Sequence, residues 1–342
     1  MSRQRERIII VGGDAAGMSA ASQVRRLQPD AEVVAFERTT HTSYALCGLP
    51  YLIAGLVDDP SKLVARTPDA HRRAGIDLRL RSEVIGIDLD RREVIVWDAE
   101  ARREYREPFD RLVLATGARP RTLAVPGREA AGIFTLHSLD DALALAAWLQ
   151  NEHPRQAVVV GAGYVGIEVA EAFVTRGLPT TVLEAAPHVL TLLDPDMAEL
   201  VERAMRDAGI DLRTSTPVDG FQTRGGRVVA VDTPHGSVPA DVVVIGIGVE
   251  PNSELAGQAG IELGDRNAIH VDERCRTSAP GVWAAGDCAD AYHRLLGRSV
   301  YFPLGTTANK QGRICGLDLA GRPARFPGIV GTAITRFGET EI

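Results

Sequence analysis

Apolar and polar positions follow a strand–helix–strand rhythm at the start of the chain. Residues 8–11 of "RIIIVGGDAAGMSAASQVRRL" are all apolar, glycines follow, and small and apolar residues at helical spacing begin at about Gly17. A second apolar run, "EVVAFE", ends at Glu37. This pattern predicts a βαβ unit with two buried parallel strands, which is the building block of doubly wound α/β folds.

The same rhythm returns in the middle of the chain. The segment "AVVVGAGYVGIEVAEAF" repeats the apolar run, the glycine turn and the helix, and "TTVLE" closes the next strand at Glu184. Elsewhere, "LRLRSEVIGIDLDRREVIVWD" alternates as a β-meander does. A strand in "TSAPGVWAAGDCAD" precedes a helix in "PLGTTANKQGRICGLDLAG". The fold class that we predict is α/β, with two Rossmann-like dinucleotide-binding domains.

Glycines in both turns match the fingerprint of a dinucleotide-binding turn, in which amides at the helix start receive a pyrophosphate. The second turn has all three fingerprint glycines, Gly161, Gly163 and Gly166. In the first turn, Gly12 and Gly17 fill the outer positions and Asp14 takes the middle one. A merely structural turn therefore stays an alternative for the first unit.

An acidic residue closes the second strand of each unit. A carboxylate in this position accepts a hydrogen bond from a ribose hydroxyl, and at Glu184 it would repel the 2′-phosphate of NADPH. Glu37 has the equivalent place in the first unit. Two fingerprints in one chain imply two dinucleotides. The natural pair is a tightly bound FAD and an exchanging nicotinamide, here NADH in preference to NADPH.

Composition and charge change this picture little. The 342 residues are 45% apolar, which suits two domains with their own cores, and the net charge is -7. No basic run suggests a nucleic-acid surface. The N-terminal "MSRQRERIIIVGG" reads neither as a signal peptide nor as a membrane span. We expect no nucleic-acid partner and no membrane partner.

The four cysteines, Cys47, Cys275, Cys288 and Cys315, lie far apart and form no CxxC pair and no metal-like cluster with histidine. This spacing suits the reducing cytoplasm, where thiols are free or catalytic. We therefore expect no disulfide framework and no metal site. We also expect all eight histidines to be surface or loop residues.

Several segments together resemble the pyridine nucleotide–disulfide oxidoreductases. The Ala-Gly-Asp that ends at Asp287 is similar to the family's second flavin-contact motif, "ATGARP" to its linker motif and "IGIGVEPN" to its return crossing. "CGLPY" around Cys47 is similar to the single-cysteine branch, because Leu52 stands where the paired-cysteine branch has its second cysteine. That branch contains coenzyme A disulfide reductases, polysulfide or persulfide reductases, NADH oxidases and NADH peroxidases.

The resemblance implies an order of domains. An FAD-binding domain takes residues 1–118 and 246–322, and an NADH-binding domain is inserted into it at residues 119–245. Residues 323–342, which contain "GTAITRF", look like the start of a truncated C-terminal dimerisation domain. Full-length members are expected to be homodimers, and the oligomeric state of this shorter chain stays open.

The resemblance also assigns roles to single residues. Cys47 is the redox-active thiol, and helix amides and the flavin would favour its thiolate. Tyr164 gates the flavin face and Glu168 positions the nicotinamide carboxamide, with a packed tyrosine and a solvated glutamate as the plain alternatives. Asp287 holds the ribityl chain, and the next helix points its N-terminus at the flavin. The other three cysteines are structural.

Three residues match positions that contact coenzyme A in the reductases: Gln23, Arg26 and Ser43. Ser43 joins Cys47 and Tyr164 in the predicted catalytic set, and Leu46 departs from the polar residue that usually precedes the cysteine. The predicted cofactor-binding residues come from the two turns, the acidic strand ends, the linkers and the flavin motif: Gly12, Gly13, Ala15, Ala16, Gly17, Glu37, Arg38, Ala115, Thr116, Gly117, Gly161, Gly163, Tyr164, Val165, Gly166, Glu168, Glu184, Gly248, Gly286, Asp287, Thr306 and Ala308.

The function that the resemblance implies is that of an FAD-dependent NADH:disulfide or persulfide oxidoreductase. Its substrate would be a small sulfur compound such as coenzyme A disulfide, coenzyme A persulfide or polysulfide, reduced through a mixed disulfide at Cys47. Two alternatives stay open. One is an NADH oxidase or peroxidase that cycles through a cysteine sulfenic acid, and the other is a low-turnover flavin redox sensor.

Overall fold

The computed structural model describes residues 5–342, which form a mixed α/β structure. Its α-helices are α1 (Ala15–Leu27), α2 (Leu49–Ala54), α3 (Pro68–Arg73), α4 (Leu139–Glu152), α5 (Tyr164–Thr175), α6 (Pro195–Asp207), α7 (Glu254–Gln258) and α8 (Gly305–Leu319). Short 3₁₀ turns cover Leu46–Gly48, Pro60–Leu63 and Asp265–Asn267. Within residues 5–342, no helix combines the length and the apolar character that crossing a membrane requires.

The strands are mostly short and lie in several sheets. In chain order they are β1 (Arg7–Val11), β2 (Glu32–Phe36), β3 (Ile76–Arg79), β4 (Ser82–Asp88), β5 (Glu93–Asp98), β6 (Arg103–Pro108), β7 (Arg111–Leu114), β8 (Ala118–Pro120), β9 (Ile133–Thr135), β10 (Ala157–Val160), β11 (Thr180–Leu183), β12 (Asp211–Arg213), β13 (Gly220–Arg224), β14 (Arg227–Thr233), β15 (Gly236–Pro239), β16 (Val242–Ile245), β17 (Val249–Pro251), β18 (Val282–Ala284), β19 (Ala291–His293), β20 (Arg298–Val300), β21 (Arg336–Phe337) and β22 (Thr340–Glu341).

The chain divides into two compact units. Unit 1 contains the chain up to Tyr44, Val64–Arg119 and Glu250–Ala333. Unit 2 contains Ala45–Leu63, Pro120–Val249 and Ile334–Ile342. Our predicted boundaries kept the segment around Cys47 in the first domain, whereas here it belongs to unit 2. The reason is that α2 packs against α4 and α5, and that the Arg176 side chain donates a hydrogen bond to the carbonyl of Ile53.

Unit 1 is built on a parallel sheet with the order β18-β7-β1-β2-β3. Its central strand, β1, is apolar after Arg7, and Ile8, Ile9 and Ile10 are fully buried, as expected when helices or other layers cover both faces of a sheet. Helices α1 and α8 pack against each other. Strands β4, β5 and β6 form the antiparallel meander that the alternating pattern predicted. Helix α1 begins at Ala15, slightly before the predicted start at Gly17.

Unit 2 repeats this plan with a second parallel sheet, in the order β12-β11-β10-β16-β9. Strand β10 is buried along its whole length, and α5 follows it directly after the glycine turn. A three-stranded antiparallel sheet, β13-β14-β15, belongs to the same unit, and β21 pairs with β22. The α/β fold class with two Rossmann-like units is therefore confirmed.

Candidate active site

The first glycine turn joins β1 to α1 in unit 1. Gly12 has a φ of +112°, and a Cβ there would lie 2.0 Å from the carbonyl oxygen of Ala115. A Cβ on Gly17 would lie 1.9 Å from the carbonyl oxygen of Gly12. Only glycine fits both positions, because a side chain would push the turn away from the sheet. The turn thereby brings the uncapped N-terminus of α1 to the carboxyl edge of the strands.

The second glycine turn has the same frame in unit 2. Gly161 has a φ of +96°, and its Cβ would lie 2.6 Å from the carbonyl oxygen of Gly246. The middle glycine differs, because a Cβ on Gly163 would meet no described atom within 4 Å. An open space therefore lies over the start of α5, where the fold class receives a pyrophosphate.

The acidic residues at the strand ends are held by the turns. Glu37 accepts a hydrogen bond from the Gly13 amide at 2.8 Å through one oxygen and from the Thr39 amide at 2.8 Å through the other. Glu184 accepts one from the Ala162 amide at 2.6 Å. Each carboxylate is thus fixed beside its glycine turn, which is where a dinucleotide presents its ribose.

Asp14 makes the first turn unusual. Burial is the main reason that the pKa of its carboxyl is raised to about 6; the nearby charge of Glu37 also raises this pKa, and the Tyr44 amide, which donates to the carboxyl at 3.3 Å, lowers it. A carboxyl with this pKa is partly protonated near neutral pH. The middle of the first turn therefore carries a titratable group instead of open space.

Asp287 follows β18 and the positive-φ residue Gly286 in unit 1. Burial raises the pKa of its carboxyl to about 6, and none of the residues from 5 to 342 donates a hydrogen bond to it. A half-buried carboxyl without a donor among the described residues fits a ligand that is rich in hydroxyl groups. Helix α8 begins nearby in the sequence without a side-chain cap, so its first amides are also free to meet a ligand.

The other predicted cofactor residues lie at the ends of the same elements. Ala115, Thr116 and Gly117 follow β7, and the Thr116 hydroxyl donates to the carbonyl oxygen of Asn252. The remaining residues are in the first turns of α1, α5 and α8, after β2, or just before β17: Ala15, Ala16, Val165, Thr306, Ala308, Arg38 and Gly248. These positions are compatible with two dinucleotides, and binding at each residue stays a prediction.

Cys47 lies in the 3₁₀ turn that leads into α2, and its side chain is exposed. The other three cysteines are 0% exposed: Cys275, Cys288 and Cys315. We expected helix amides to favour the Cys47 thiolate. Instead, desolvation by the surrounding protein raises the pKa of the Cys47 thiol, and the negative charge of Glu168 raises it further. The expectation is wrong for this chain's own residues because desolvation is the larger effect and the charged neighbour of Cys47 is a carboxylate and not a cation.

Glu168 and Tyr164 lie on the first two turns of α5. Burial raises the pKa of the Glu168 carboxyl, and the Thr335 hydroxyl opposes this by donating to it at 3.0 Å. Glu168 is therefore a half-buried, hydrogen-bonded acid and not a solvated one. Tyr164 is the first residue of the helix and half-buried. Its gating role stays a prediction.

Ser43 forms a hydrogen bond with His71, a residue to which the sequence analysis gave no role. Its hydroxyl lies 2.9 Å from Nε2 of His71, and His71 is 2% exposed. The expectation that all histidines are surface or loop residues is therefore wrong for His71. It lies on α3, which packs against β3, and this packing turns the imidazole inward.

A cavity of about 640 Å³ opens on unit 1 and is lined by four arginines, Arg25, Arg26, Arg66 and Arg313. Four uncharged polar residues add to the lining: Ser19, Ser22, Gln23 and Asn309. Gln23 and Arg26 are thus brought together as predicted substrate residues, and the Arg26 side chain donates to Gln23. Ser43 is not among the lining residues.

The cavity has an unbalanced positive charge. Arg25 is held by carbonyl oxygens, with Nη1 at 2.8 Å from Pro29 and 2.7 Å from Ala31. In the part of the chain that the structure describes, Arg26, Arg66 and Arg313 have no carboxylate within 4.0 Å. Unpaired guanidinium groups around a polar cavity favour a multiply charged anion such as a phosphate ester.

Sequence reasoning missed Arg66, Arg313, Asn309 and His71. Arg66 and His71 occur in a stretch without a motif, whereas Asn309 and Arg313 lie in the helix after the flavin motif, far away in the chain and with no role that the sequence assigns. Asn309 and Arg313 lie on α8, which packs against α1, and Arg66 lies just before α3. Only the folded structure brings these three residues to one cavity. Over residues 5–342, no three or more His, Cys, Asp or Glu side chains are grouped so that they could hold a metal ion.

Comparison with known proteins gives the same family as the motifs. A family model described as pyridine nucleotide-disulphide oxidoreductase matches residues 6–312. The NAD(P)H coenzyme A polysulfide/persulfide reductase of Pyrococcus horikoshii is 37% identical over 99% of this chain, which spans 75% of that relative. This chain therefore matches about three quarters of the relative's length.

Two solved structures have nearly the same fold. The reduced CoADR-RHD of Bacillus anthracis has a TM-score of 0.94 and 32% identity over 98% of this chain and 60% of that one. The NAD-dependent persulfide reductase of A. fulgidus has a TM-score of 0.93 and 37% identity over 97% of this chain and 62% of that one. With nearly all of its length matched, this chain belongs to the pyridine nucleotide-disulphide oxidoreductase family.

Proposed function

We propose that this chain is an FAD-dependent NADH:disulfide oxidoreductase that reduces coenzyme A disulfide or a coenzyme A persulfide through Cys47. The observation that carries the proposal is the exposure of one thiol beside three that are fully buried. Only Cys47 can reach a substrate from solvent, so a redox cycle must run through a bond between Cys47 and a sulfur outside the chain.

In this proposal unit 1 holds FAD and unit 2 holds NADH. The open turn at Gly163 and the carboxylate of Glu184 suit a coenzyme that comes and goes, and they favour NADH over NADPH. The unpartnered carboxyl of Asp287 suits the hydroxyl groups of a ribityl chain. Bound FAD would accept a hydride from NADH and supply the two electrons that the sulfur chemistry consumes.

The residues of the chain then share the sulfur chemistry. The Cys47 thiolate attacks one sulfur of the substrate disulfide, the substrate S–S bond breaks, and the first coenzyme A leaves as a thiolate that takes up a proton. Two electrons and a proton then break the mixed disulfide into the Cys47 thiolate and the thiol of the second coenzyme A. Because burial and Glu168 raise the pKa of the Cys47 thiol, the attack should speed up as pH rises above neutral.

The arginine cavity supports coenzyme A as the carrier of the sulfur. Coenzyme A has three phosphate groups, and Arg26, Arg66 and Arg313 offer three guanidinium groups without a carboxylate partner in residues 5–342. Gln23 and Arg26 match the positions that contact coenzyme A in similar reductases, which supports the same assignment. An inorganic polysulfide would need no such cavity.

We also propose that the protein works as a homodimer in the cytoplasm. The resemblance to the family supports the homodimer, and the unpaired thiols of all four cysteines support a reducing compartment such as the cytoplasm. Light scattering of the purified protein at several concentrations tests the homodimer. A monomer at all of them would refute it.

Rapid mixing in two half-reactions tests the proposed function. NADH should reduce the bound flavin in both wild type and Cys47→Ser, whereas coenzyme A disulfide should reoxidise only the wild type. Cys288→Ser is the matched control and should behave as wild type, because its thiol is buried. Reoxidation of wild type by oxygen or hydrogen peroxide but not by coenzyme A disulfide would favour the oxidase or peroxidase reading instead.

A further inference from the structure

Ser43 occupies a conformation that the surrounding structure must enforce. Its φ is +50°, a left-handed backbone that residues other than glycine rarely adopt. The Ser43 carbonyl accepts a hydrogen bond from the Ala65 amide at 2.8 Å, which holds the backbone from one side. The Ser43 hydroxyl lies 2.9 Å from Nε2 of His71, which holds the side chain from the other. Strain that is stabilised in this way is typical of functional positions.

The other nitrogen of His71 decides the direction of this hydrogen bond. His71 Nδ1 is buried, and nothing in residues 5–342 forms a hydrogen bond with it. An unpaired buried N–H is rarer and costs more than an unpaired acceptor, so Nδ1 should be the nitrogen without hydrogen. Burial, together with the charge of Arg66, lowers the pKa of His71 to about 4, so the ring is neutral at pH 7. Nε2 therefore carries the hydrogen and donates it to Ser43.

The hydroxyl hydrogen of Ser43 is then left for another acceptor. Thr42 Oγ1 is 3.4 Å away, at the long limit for a hydroxyl pair, and it already donates to the carbonyl of Gly13. The dyad also adjoins the arginine cavity, since Arg66 and Ala74, which line the cavity, immediately flank α3 with His71 at its middle. A substrate oxygen that reaches Ser43 would be a better acceptor than Thr42.

We propose that His71 is a positioning residue, whose Nε2–H fixes the Ser43 hydroxyl as a hydrogen-bond donor toward a carbonyl or phosphoryl oxygen of the sulfur substrate. This rests on the proposed function, because it takes Ser43 to be a substrate contact. It adds a residue that neither the motifs nor the family resemblance single out. The interaction acts in binding and not in electron transfer, so it should affect KM more than kcat.

Nitrogen NMR of the protein labelled with ¹⁵N-histidine tests the tautomer without any substrate. His71→Phe identifies the signals of His71. At pH 7 we expect a neutral ring with the hydrogen on Nε2. A ring with the hydrogen on Nδ1, or an imidazolium, would overturn the inference while leaving the proposed function intact.

Kinetics with coenzyme A disulfide test the consequence. His71→Phe and Ser43→Ala should each raise KM about 3- to 10-fold, the usual range for a lost neutral hydrogen bond, with flavin reduction by NADH unchanged. The double variant should be no worse than Ser43→Ala alone, and His71→Gln, which keeps a donor, should recover most of the loss. Effects that multiply in the double variant, or an unchanged KM in His71→Phe, would overturn the inference.

If His71→Phe does not fold, the KM values of His71→Gln and Ser43→Ala are compared instead. His71→Gln keeps a hydrogen-bond donor at position 71, whereas Ser43→Ala removes the acceptor. His71→Gln as impaired as Ser43→Ala would then contradict the proposal. Wild type that shows the expected tautomer but never turns over coenzyme A disulfide would instead refute the proposed function.

Discussion

The turn at residues 12–17 and the turn at residues 161–166 share a backbone but differ in their middle residue. In both, the first glycine has a positive φ and lies against a carbonyl of a neighbouring strand end. In both, a turn amide holds the acidic residue of the next strand. The middle position is Asp14 in unit 1, with a pKa raised by burial, and Gly163 in unit 2, with open space above it.

This difference separates what the fold needs from what the ligand needs. The outer glycines are required because a Cβ would collide with backbone atoms that form the sheet. At the middle position of unit 2, a Cβ would not collide with the backbone. The residue type found there is therefore expected to depend on the ligand and not on the fold. The open, uncharged middle at Gly163 leaves room for the pyrophosphate of a coenzyme that enters and leaves. The Asp14 carboxyl, with its pKa raised by burial, is partly protonated and repels a pyrophosphate less than a fully charged carboxylate would.

The largest effect should come from the first glycine of each turn. Gly12→Ala and Gly161→Ala force a Cβ to 2.0 Å and 2.6 Å from a carbonyl oxygen at positive φ. We expect each to lower Tm by roughly 10 °C or to prevent folding, since such strain costs several kcal/mol. Gly163→Ala is the matched control, and calorimetry should find its Tm close to that of wild type. An equal loss in the control would mean that the middle position is also structural.

Gly163→Asp makes the second turn resemble the first. A carboxylate in the space over α5 would repel the pyrophosphate of NADH, so we expect KM for NADH to rise about 10-fold or more. The FAD content, read from the absorbance of the purified protein, should not change. Loss of FAD with normal NADH binding would show that the assignment of the two units is reversed.

Glu184→Gln should weaken the choice between the coenzymes. The amide still reaches the ribose but no longer repels a 2′-phosphate, so the ratio of kcat/KM for NADH to that for NADPH should fall about 10-fold. Glu37→Gln is the control in unit 1 and should leave this ratio unchanged. A wild type that already uses both coenzymes equally would contradict the role given to Glu184.

Asp14→Asn should have the smallest effect, visible as a change in pH dependence. The pKa of Asp14 in the folded protein, about 6, is above its ordinary value of 3.8. The stability that the protonated carboxyl contributes is therefore present below pH 3.8 and lost as pH rises through 6. In FAD-free protein, Asp14→Asn should raise Tm at pH 8 by a few degrees and change it little at pH 4. A variant less stable than wild type at pH 8 would count against this.

Much of the fold could be predicted because its signals are local. The apolar runs at 8–11 and 157–160, the glycines after them and the acids that close the next strands are all adjacent in the sequence. At Gly12, the positive φ and the nearby carbonyl of Ala115 exclude any side chain, so the glycine itself predicts the conformation of the turn. The start of α1 was placed slightly late because Ala15 and Ala16 carry no periodic signal of their own.

The candidate site was less predictable because its contacts are not local. Cys47 stood out by its motif, but its environment depends on Glu168, which lies on another element of unit 2. Arg66 and Arg313 come from distant segments of the chain and line one cavity only in the folded structure. His71 is buried by the way α3 lies on β3, and no residue next to it in the sequence indicates this.

Mass spectrometry of the oxidised protein tests the central claim, that Cys47 is the one thiol that exchanges with substrate. The protein is incubated with coenzyme A disulfide without NADH, alkylated and digested. We predict a coenzyme A mixed disulfide on the peptide that contains Cys47, removed by NADH, and unmodified Cys275, Cys288 and Cys315. A wild-type protein with bound FAD that shows no adduct at Cys47, or an adduct at one of the buried cysteines, would contradict the account.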